Sequence, residues 1–170
     1  EGFGEIDAAA DRSLPELITQ HDLVGALHCH SQYSDGGSTI AEMATAARRH
    51  GLQYLGVSDH SQSNMYAGGL STEAIRAQHE EIDALNASFE RDGTRFRVLK
   101  GIEADILPCG RVDYDTDVLD RFDFVIGSVH TRYGMNERQM TDRVLKALDD
   151  PHLTILGHPT GRLLLAREPY

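Results

Sequence analysis

The sequence predicts a parallel α/β fold with right-handed crossovers, on three observations. Short apolar runs rich in β-branched residues alternate along the chain with longer segments of helical periodicity. The helical segments carry start and stop signals of their own, and the strands are separated by them rather than by tight hairpin turns. Five successive strands each end in a histidine, aspartate or glutamate. In parallel α/β folds the C-terminal strand ends converge on one face, so that repetition predicts a site as well as a fold.

Residues 1–22 read as a lead-in. Gly2, Gly4, Asp11, Ser13 and Pro15 interrupt any long periodicity, while Ile6, Leu14, Leu17 and Ile18 fit a short docked helix. The first strand, Leu23 to His28, runs into the pair His28 and His30. Thr39 with Glu42 forms a capping box for a helix whose apolar face is Ile40, Met43, Ala44 and Ala47, with Gly51 as its stop. Tyr54 to Ser58 is the second strand and delivers Asp59 and His60.

The loop from Ser61 to Gly69 is longer than such connections require and reads as a lid or substrate loop. Ser71 caps the next helix, Leu70 and Ile75 form its hydrophobic staple, and Asp92-Gly93 ends it. Phe96 to Ile102 is the third strand, delivering Glu103. Pro108-Cys109-Gly110 is a turn, and Val118-Leu119 is a short helical segment. The fourth strand, Phe122 to Val129, delivers His130. Asn136 caps a helix carrying Met140, Val144, Leu145 and Leu148, closed by Pro151, and the fifth strand, Leu153 to Gly157, delivers His158.

A chain of 170 residues suffices for one ordinary domain with a sizeable core. It has no apolar tract long enough to span a membrane and no signal peptide at its acidic start, so a cytoplasmic protein without a membrane partner is expected. Cys29 and Cys109 are the two cysteines and read as free buried thiols. The formal net charge of −11, with Lys100 and Lys146 as the lysines, argues against a basic nucleic-acid surface, although bound divalent cations would neutralise part of it.

Imidazole nitrogen with carboxylate oxygen is the donor mix that suits Zn²⁺, Mn²⁺ and Fe²⁺. His28 and His30, two apart on an extended strand, are expected on one side of it and able to reach one ion. Glu103 arrives from across the site and is long enough to bridge two ions. Ions a few Å apart form the clamp of phosphoester hydrolysis, in which a metal-bound hydroxide attacks phosphorus.

A single histidine on a strand is more often structural than ligating, and His21, His50, His79 and His152 are assigned that way. Packing alone does not account for the joint placement of His28, His30, His60, His130 and His158. Asp35 serves equally as a ligand and as part of an ordinary Ser-Asp-Gly turn. Asp59 is expected to orient the neighbouring ligand His60. Arg162 is offered to a substrate phosphate, with a surface ion pair as the alternative. Ser34, Ser58 and Ser61 lack the Gly-x-Ser-x-Gly setting of a nucleophile.

The series His28-x-His30 with Asp35, Asp59-His60-Ser61, Gly101-Ile102-Glu103, Ser128-Val129-His130 and Gly157-His158-Pro159 resembles the PHP (polymerase and histidinol phosphatase) family. More narrowly, Asp59 to Ser63, Ala67 to Ser71 and Gly157 to Leu164 are similar to the PHP domain at the C-terminus of bacterial family X DNA polymerases, and Gly4 to Ala9 to the segment that precedes it. The resemblance implies a distorted, seven-stranded TIM-like (β/α) barrel over residues 23–170 with a trinuclear site. His28 and His30 would hold the first ion, Glu103 would bridge first and second, His130 and His158 would complete the second, and Asp35 with His60 would hold the third. Catalysis is expected of Glu103, His130 and Arg162, with three divalent ions, Mn²⁺ or Zn²⁺ with Fe²⁺ also suitable.

The implied activity is 3′–5′ exonuclease or DNA 3′-end processing on single-stranded or gapped DNA, beside a linked polymerase domain. Hydrolysis of a small phosphate monoester of the histidinol-phosphate type is the alternative, and a non-enzymatic metal-stabilised module the second. Two positions depart from the pattern. Ala26 stands where family members often carry Asp, and the Asp-x-His pair of the family's last strand does not occur before Tyr170. Truncation within the barrel at Tyr170 is therefore expected.

Overall fold

The computed structural model describes residues 3–163 and 165–169. Expectations that fall on Glu1, Gly2, Leu164 and Tyr170, the truncation at Tyr170 among them, lie outside the described residues. Five strands, β1 (Gly25–Cys29), β2 (Tyr54–Val57), β3 (Arg97–Asp105), β4 (Phe124–Ser128) and β5 (Leu153–Leu156), form a sheet in the order β1-β2-β3-β4-β5. Every pairing is parallel. That sequential order never reverses, so right-handed crossovers carry all the connecting helices to one face and the sheet curls into a half-barrel. The α/β class is as predicted; the seven strands implied by the resemblance are five among the described residues.

The helices are α1 (Glu5–Ala10), α2 (Ile40–Arg49), α3 (Thr72–Arg91), α4 (Thr116–Leu119) and α5 (Glu137–Leu148). The three long ones begin at the expected residues. Thr39, Ser71 and Asn136 accept from the backbone N–H groups of Glu42, Ala74 and Gln139, satisfying amides that a first turn leaves without partners. Leu70 and Ile75 are both buried, as a staple requires. No helix among the described residues is long and apolar enough to cross a membrane.

Alternation along the strands separates the two faces. On β3, Ile102 and Ala104, with Ile106 just beyond its end, pack into the helix-side core, whereas Gly101, Glu103 and Asp105 face the concave side. On β2, Leu55 and Val57 face the helices, leaving Gly56, and past the strand's end Ser58 and His60, on the other side. The concave floor is closed by the Phe124 ring. A Cβ at Gly101 would lie 2.1 Å from that ring and one at Gly56 2.7 Å, so two glycines on adjacent strands clear the space it fills. Polar groups collect above this floor, at the C-terminal ends.

Three expectations change. The lead-in forms α1 and a 3₁₀ turn at Gln20–Asp22, but Ile6, Leu14, Leu17 and Ile18 are exposed, so the segment is not docked on the core described. β1 begins at Gly25 rather than Leu23, and β3 continues to Asp105, placing Glu103 within the strand. Both cysteines are free, but Cys29 is half-buried and Cys109 exposed.

His79 is buried in α3 with its ring edge-on to Phe122, 5.0 Å between centroids, and its Nε2 has no hydrogen-bond partner among the described residues. Burial, aided by the Lys100 charge, pushes its pKa down to about 4. Unfolded, the imidazole titrates near its ordinary value of about 6.5. Its contribution is therefore complete above that value and is lost as pH falls toward 4. Between pH 7 and pH 5 the folded state should lose about 2 kcal/mol through this residue, and urea denaturation should show His79→Leu losing correspondingly less than wild type. Equal losses in the two proteins would overturn the assignment.

Candidate metal centre

His28 reaches the site through an irregularity rather than through simple alternation. Ala26 pairs with Leu55 and Cys29 with Val57, so β1 holds one residue more than β2 over the same span, and His28 has φ +60°. Leu27 meets Gly56 on the concave side and Cys29 packs toward the helix-side core. Unbroken alternation would therefore have turned His28 and His30 toward the helices. The bulge turns them both inward. The expectation that both reach one point holds: alternation across His28, Cys29 and His30 keeps the two rings on one side, and the bulge decides that this side is the concave one.

Glu103 is the centre of the cluster at 1% exposure. Its Oε1 lies 2.9 Å from His28 Nε2, 2.9 Å from His158 Nε2 and 3.2 Å from His130 Nε2; its Oε2 lies 3.0 Å from His60 Nδ1 and 3.3 Å from His30 Nε2. Five imidazole nitrogens thus crowd two oxygens that offer about four acceptor positions. That excess of nitrogen over hydrogen-bonding need is the donor chemistry of a divalent-metal site. Three groups have donor atoms all within 4.8 Å of one another: His28, His30 and Glu103; His30, Asp35 and His60; His60, Glu103 and His130. His158 touches Glu103 but stands outside these groups, on the exposed rim.

Asp35 joins the cluster although its own side chain is exposed. Its carboxylate oxygens lie 2.8 Å from His30 Nδ1 and 3.6 Å from His60 Nε2. The loop that carries it is held by Asp59, which is fully buried and accepts from Ser31 N (2.8 Å), Ser31 Oγ (2.6 Å), Ser34 Oγ (2.5 Å) and Gln78 Nε2 (2.6 Å). Asp59 therefore sets the loop after His30, and not the His60 ring it was expected to orient. The alternation of β2 continues into the residues just past its end, so the sequence neighbours Asp59 and His60 point to different sides.

Asp105 was not anticipated. Two residues beyond Glu103 on the same face of β3, it lies 2.6 Å from His130 Nδ1 and leaves Nε2 of that ring directed at Glu103. This is the carboxylate–histidine arrangement that fixes the tautomer of a ligand. The signal was available as period two along β3, but the strand was expected to stop before it. Asn64, also unanticipated, has its Nδ2 3.1 Å from His60 Nδ1.

The electrostatics favour a bound cation. Burial works against the charge on Glu103, but hydrogen bonds from His130, His158, His28 and His30 outweigh it and hold the carboxyl far below its usual range. Burial also opposes protonation of His130, yet Asp105 and Glu103 raise its pKa to about 9. Asp35, despite its own desolvation, is held low by His30 and His60. Carboxylates that draw a proton onto an imidazole would exchange it for a metal ion.

Arg162 is exposed and forms no ion pair among the described residues; its backbone N–H donates to Thr160 Oγ1. His21 is exposed in the 3₁₀ turn and His50 is exposed at the C-terminal cap of α2, and His152 is clamped by Asp150 at 2.9 Å and Asp120 at 3.0 Å. These three, with His79, stay outside the centre as expected.

Comparison with known proteins bears on this cluster. The PHP domain family model matches residues 26–167. The chain is 47% identical over 155 residues to the DNA polymerase/3′-5′ exonuclease PolX of Bacillus subtilis, covering 91% of the chain and 26% of that protein. It is 33% identical to a probable phosphatase of Syntrophotalea carbinolica, covering 78% of the chain and 53% of the relative. A probable phosphatase of Caldanaerobacter subterraneus is 30% identical, with 81% and 52% covered. The chain thus spans about a quarter of the first relative and about half of the other two.

Removing the buried Asp59 carboxylate strands four donors at once. Asp59→Ala should destabilise the fold by roughly 3 kcal/mol or more, and hydrogen exchange should quicken at Ser31 and Gly36 before the rest of the sheet. Exchange unchanged in that loop would refute the anchoring role.

Proposed function

Because this chain belongs to the PHP domain family, we propose that it is a metal-dependent phosphoesterase that hydrolyses phosphodiester bonds at DNA 3′ ends. The observation that carries the proposal is the convergence of five histidines on the buried carboxylate of Glu103 at the C-terminal mouth of the half-barrel. The likeness to an exonuclease over nearly the whole chain supports DNA as the substrate. The same likeness supports a linked polymerase domain as partner, and single-stranded or gapped ends as the form attacked.

The ligands proposed are His28, His30, Asp35, His60, Glu103, His130 and His158, around up to three ions of Mn²⁺ or Zn²⁺, with Fe²⁺ as a third candidate. Such ions, when bound, supply Lewis acidity toward phosphate and an acidified water. The chain's own part is positioning. Glu103 faces all five imidazoles and would be the carboxylate common to the proposed ligands; Asp105 keeps Nδ1 of His130 occupied so that Nε2 would remain a donor atom; Asp35, tied to His30, brings an exposed carboxylate to His60. Arg162, on the exposed segment four residues after His158, is assigned to the substrate phosphate, where a guanidinium pairs with two oxygens. The five strands are read as part of a seven-stranded barrel over 23–170, with residues before 23 as a lead-in that buries no side chain among those described.

The probable-phosphatase relatives and the net charge of −11 favour a second possibility, a small phosphate monoester as substrate. One assay separates them. With Mn²⁺ present, nucleotides should be released from 3′-labelled single-stranded DNA and no phosphate from histidinol phosphate. His130→Ala should lose more than the roughly 10–100-fold that follows disruption of an outer contact to a ligand. Phosphate release alone would replace the exonuclease with the phosphatase, and neither activity would refute both.

Asp105→Asn keeps the shape and removes the charge behind His130. Affinity for Mn²⁺, read by competition with a chromophoric chelator, should fall about 10–100-fold. Wild-type affinity in that variant would remove His130 from the proposed ligand set.

A further inference from the structure

Beside the metal centre the loop between β2 and α3 holds two apolar side chains fully in solvent, Met65 at 84% and Tyr66 at 105% exposure. Scattered surface hydrophobes need no explanation. These two differ in where they sit and in what holds them there. They belong to a 3₁₀ turn, Met65–Ala67, flanked by Asn64, whose amide contacts His60, and by Gly68, where a Cβ would stand 3.7 Å from the Ser34 carbonyl next to Asp35. Tyr66 is two residues from each flank, a span of at most about 7 Å of extended chain. The turn therefore rides between two members of the cluster.

The loop is also rigidly built. Ser61 Oγ accepts from the backbone of Asp105, Ser63 N donates to Asp113 at 2.9 Å, and Gln62 N donates to Tyr114 Oη at 3.0 Å. The same Tyr114 hydroxyl donates to the Leu70 carbonyl at the far end of the loop. Tyr114 is buried and has φ +72°, an uncommon and costly backbone state for a bulky residue. A strained pedestal thus fixes a loop whose apolar tip contributes nothing to the core. Such a tip is preorganised for something that arrives from solvent.

The geometry points to Tyr66, with Met65 beside it, as the stacking platform for the unpaired base of the nucleotide whose phosphodiester enters the metal centre. This rests on the phosphodiesterase function proposed above and narrows its substrate to base-bearing strands. Charge supports stacking over backbone attraction. With 27 acidic against 16 basic residues, the chain has little to release counterions from phosphate, so affinity for a strand end must come from contacts that do not depend on that charge. Base–aromatic stacking is such a contact and tolerates any base sequence.

The test uses the whole chain with Mn²⁺ and two fluorescent oligonucleotides whose last linkages carry a bridging methylene in place of the 3′ oxygen and so resist hydrolysis. One bears bases at its 3′ end; the other is base-less there. By anisotropy, wild type should bind the base-bearing strand about tenfold more tightly, Tyr66→Phe should keep the difference, and Tyr66→Ala should abolish it. A difference that survives in Tyr66→Ala, or that is missing in wild type, would overturn the platform. Cleavage of an unmodified strand, followed in parallel, reports separately on the phosphodiesterase. Base preference without cleavage would uphold the platform and refute the activity; cleavage without base preference would do the reverse.

Discussion

A carboxylate taken out of water must be compensated, and the buried Glu103 is compensated by five imidazoles that come from four other stretches of chain. That requirement ties β1, β2, β4 and the segment after β5 to the C-terminal part of β3. Each strand end must arrive within hydrogen-bonding reach of the same two oxygens, which leaves little freedom in register or curl. The concave floor below supports this arrangement, because Phe124 can lie across the sheet only where Gly56 and Gly101 leave it room. The curl in turn brings strand ends on opposite edges, at His28 and His158, onto one oxygen.

The cluster is held by groups that never enter it. Asp59 faces the helix side, yet through Ser31 and Ser34 it sets the loop that presents His30 and Asp35, and through Gln78 it is joined to α3. Asp105 holds His130 from the β3 side, and its backbone N–H holds Ser61 and so the long loop. A densely bonded polar network of this kind favours a single geometry, because each lost bond would leave a buried group unsatisfied, as Gln78 Oε1 already is among the described residues. Strain accompanies it. His28 and His158 both have positive backbone φ angles, +60° and +24°, uncommon states for residues other than glycine.

Much of this was legible in residue order. Caps, stops and apolar spacing located α2, α3 and α5. The repeated strand-end residues pointed to His28, His30, His60, Glu103, His130 and His158, and the family pattern to Asp35, side chains that the fold brings near one another. Asp105 escaped because Gly101-Ile102-Glu103 reads as the end of a strand, whereas pairing with β4 carries it two residues further. The role of Asp59 escaped because neighbours in sequence look like neighbours in space. The lead-in apolar residues read as a docking face and are exposed.

By itself the sequence determined the alternation of helix and strand, the chemistry of the donor set and the side of the fold where donors would gather, since these follow from local propensity, period and the parallel connection of successive strands. Tertiary structure alone decided how His28 turns inward, which carboxylate stands behind which ring, and that Tyr66 is held beside the centre. Those depend on a one-residue bulge against β2, on the length of pairing along β3 and on a loop anchored from Tyr114, and each is settled by partners distant in sequence.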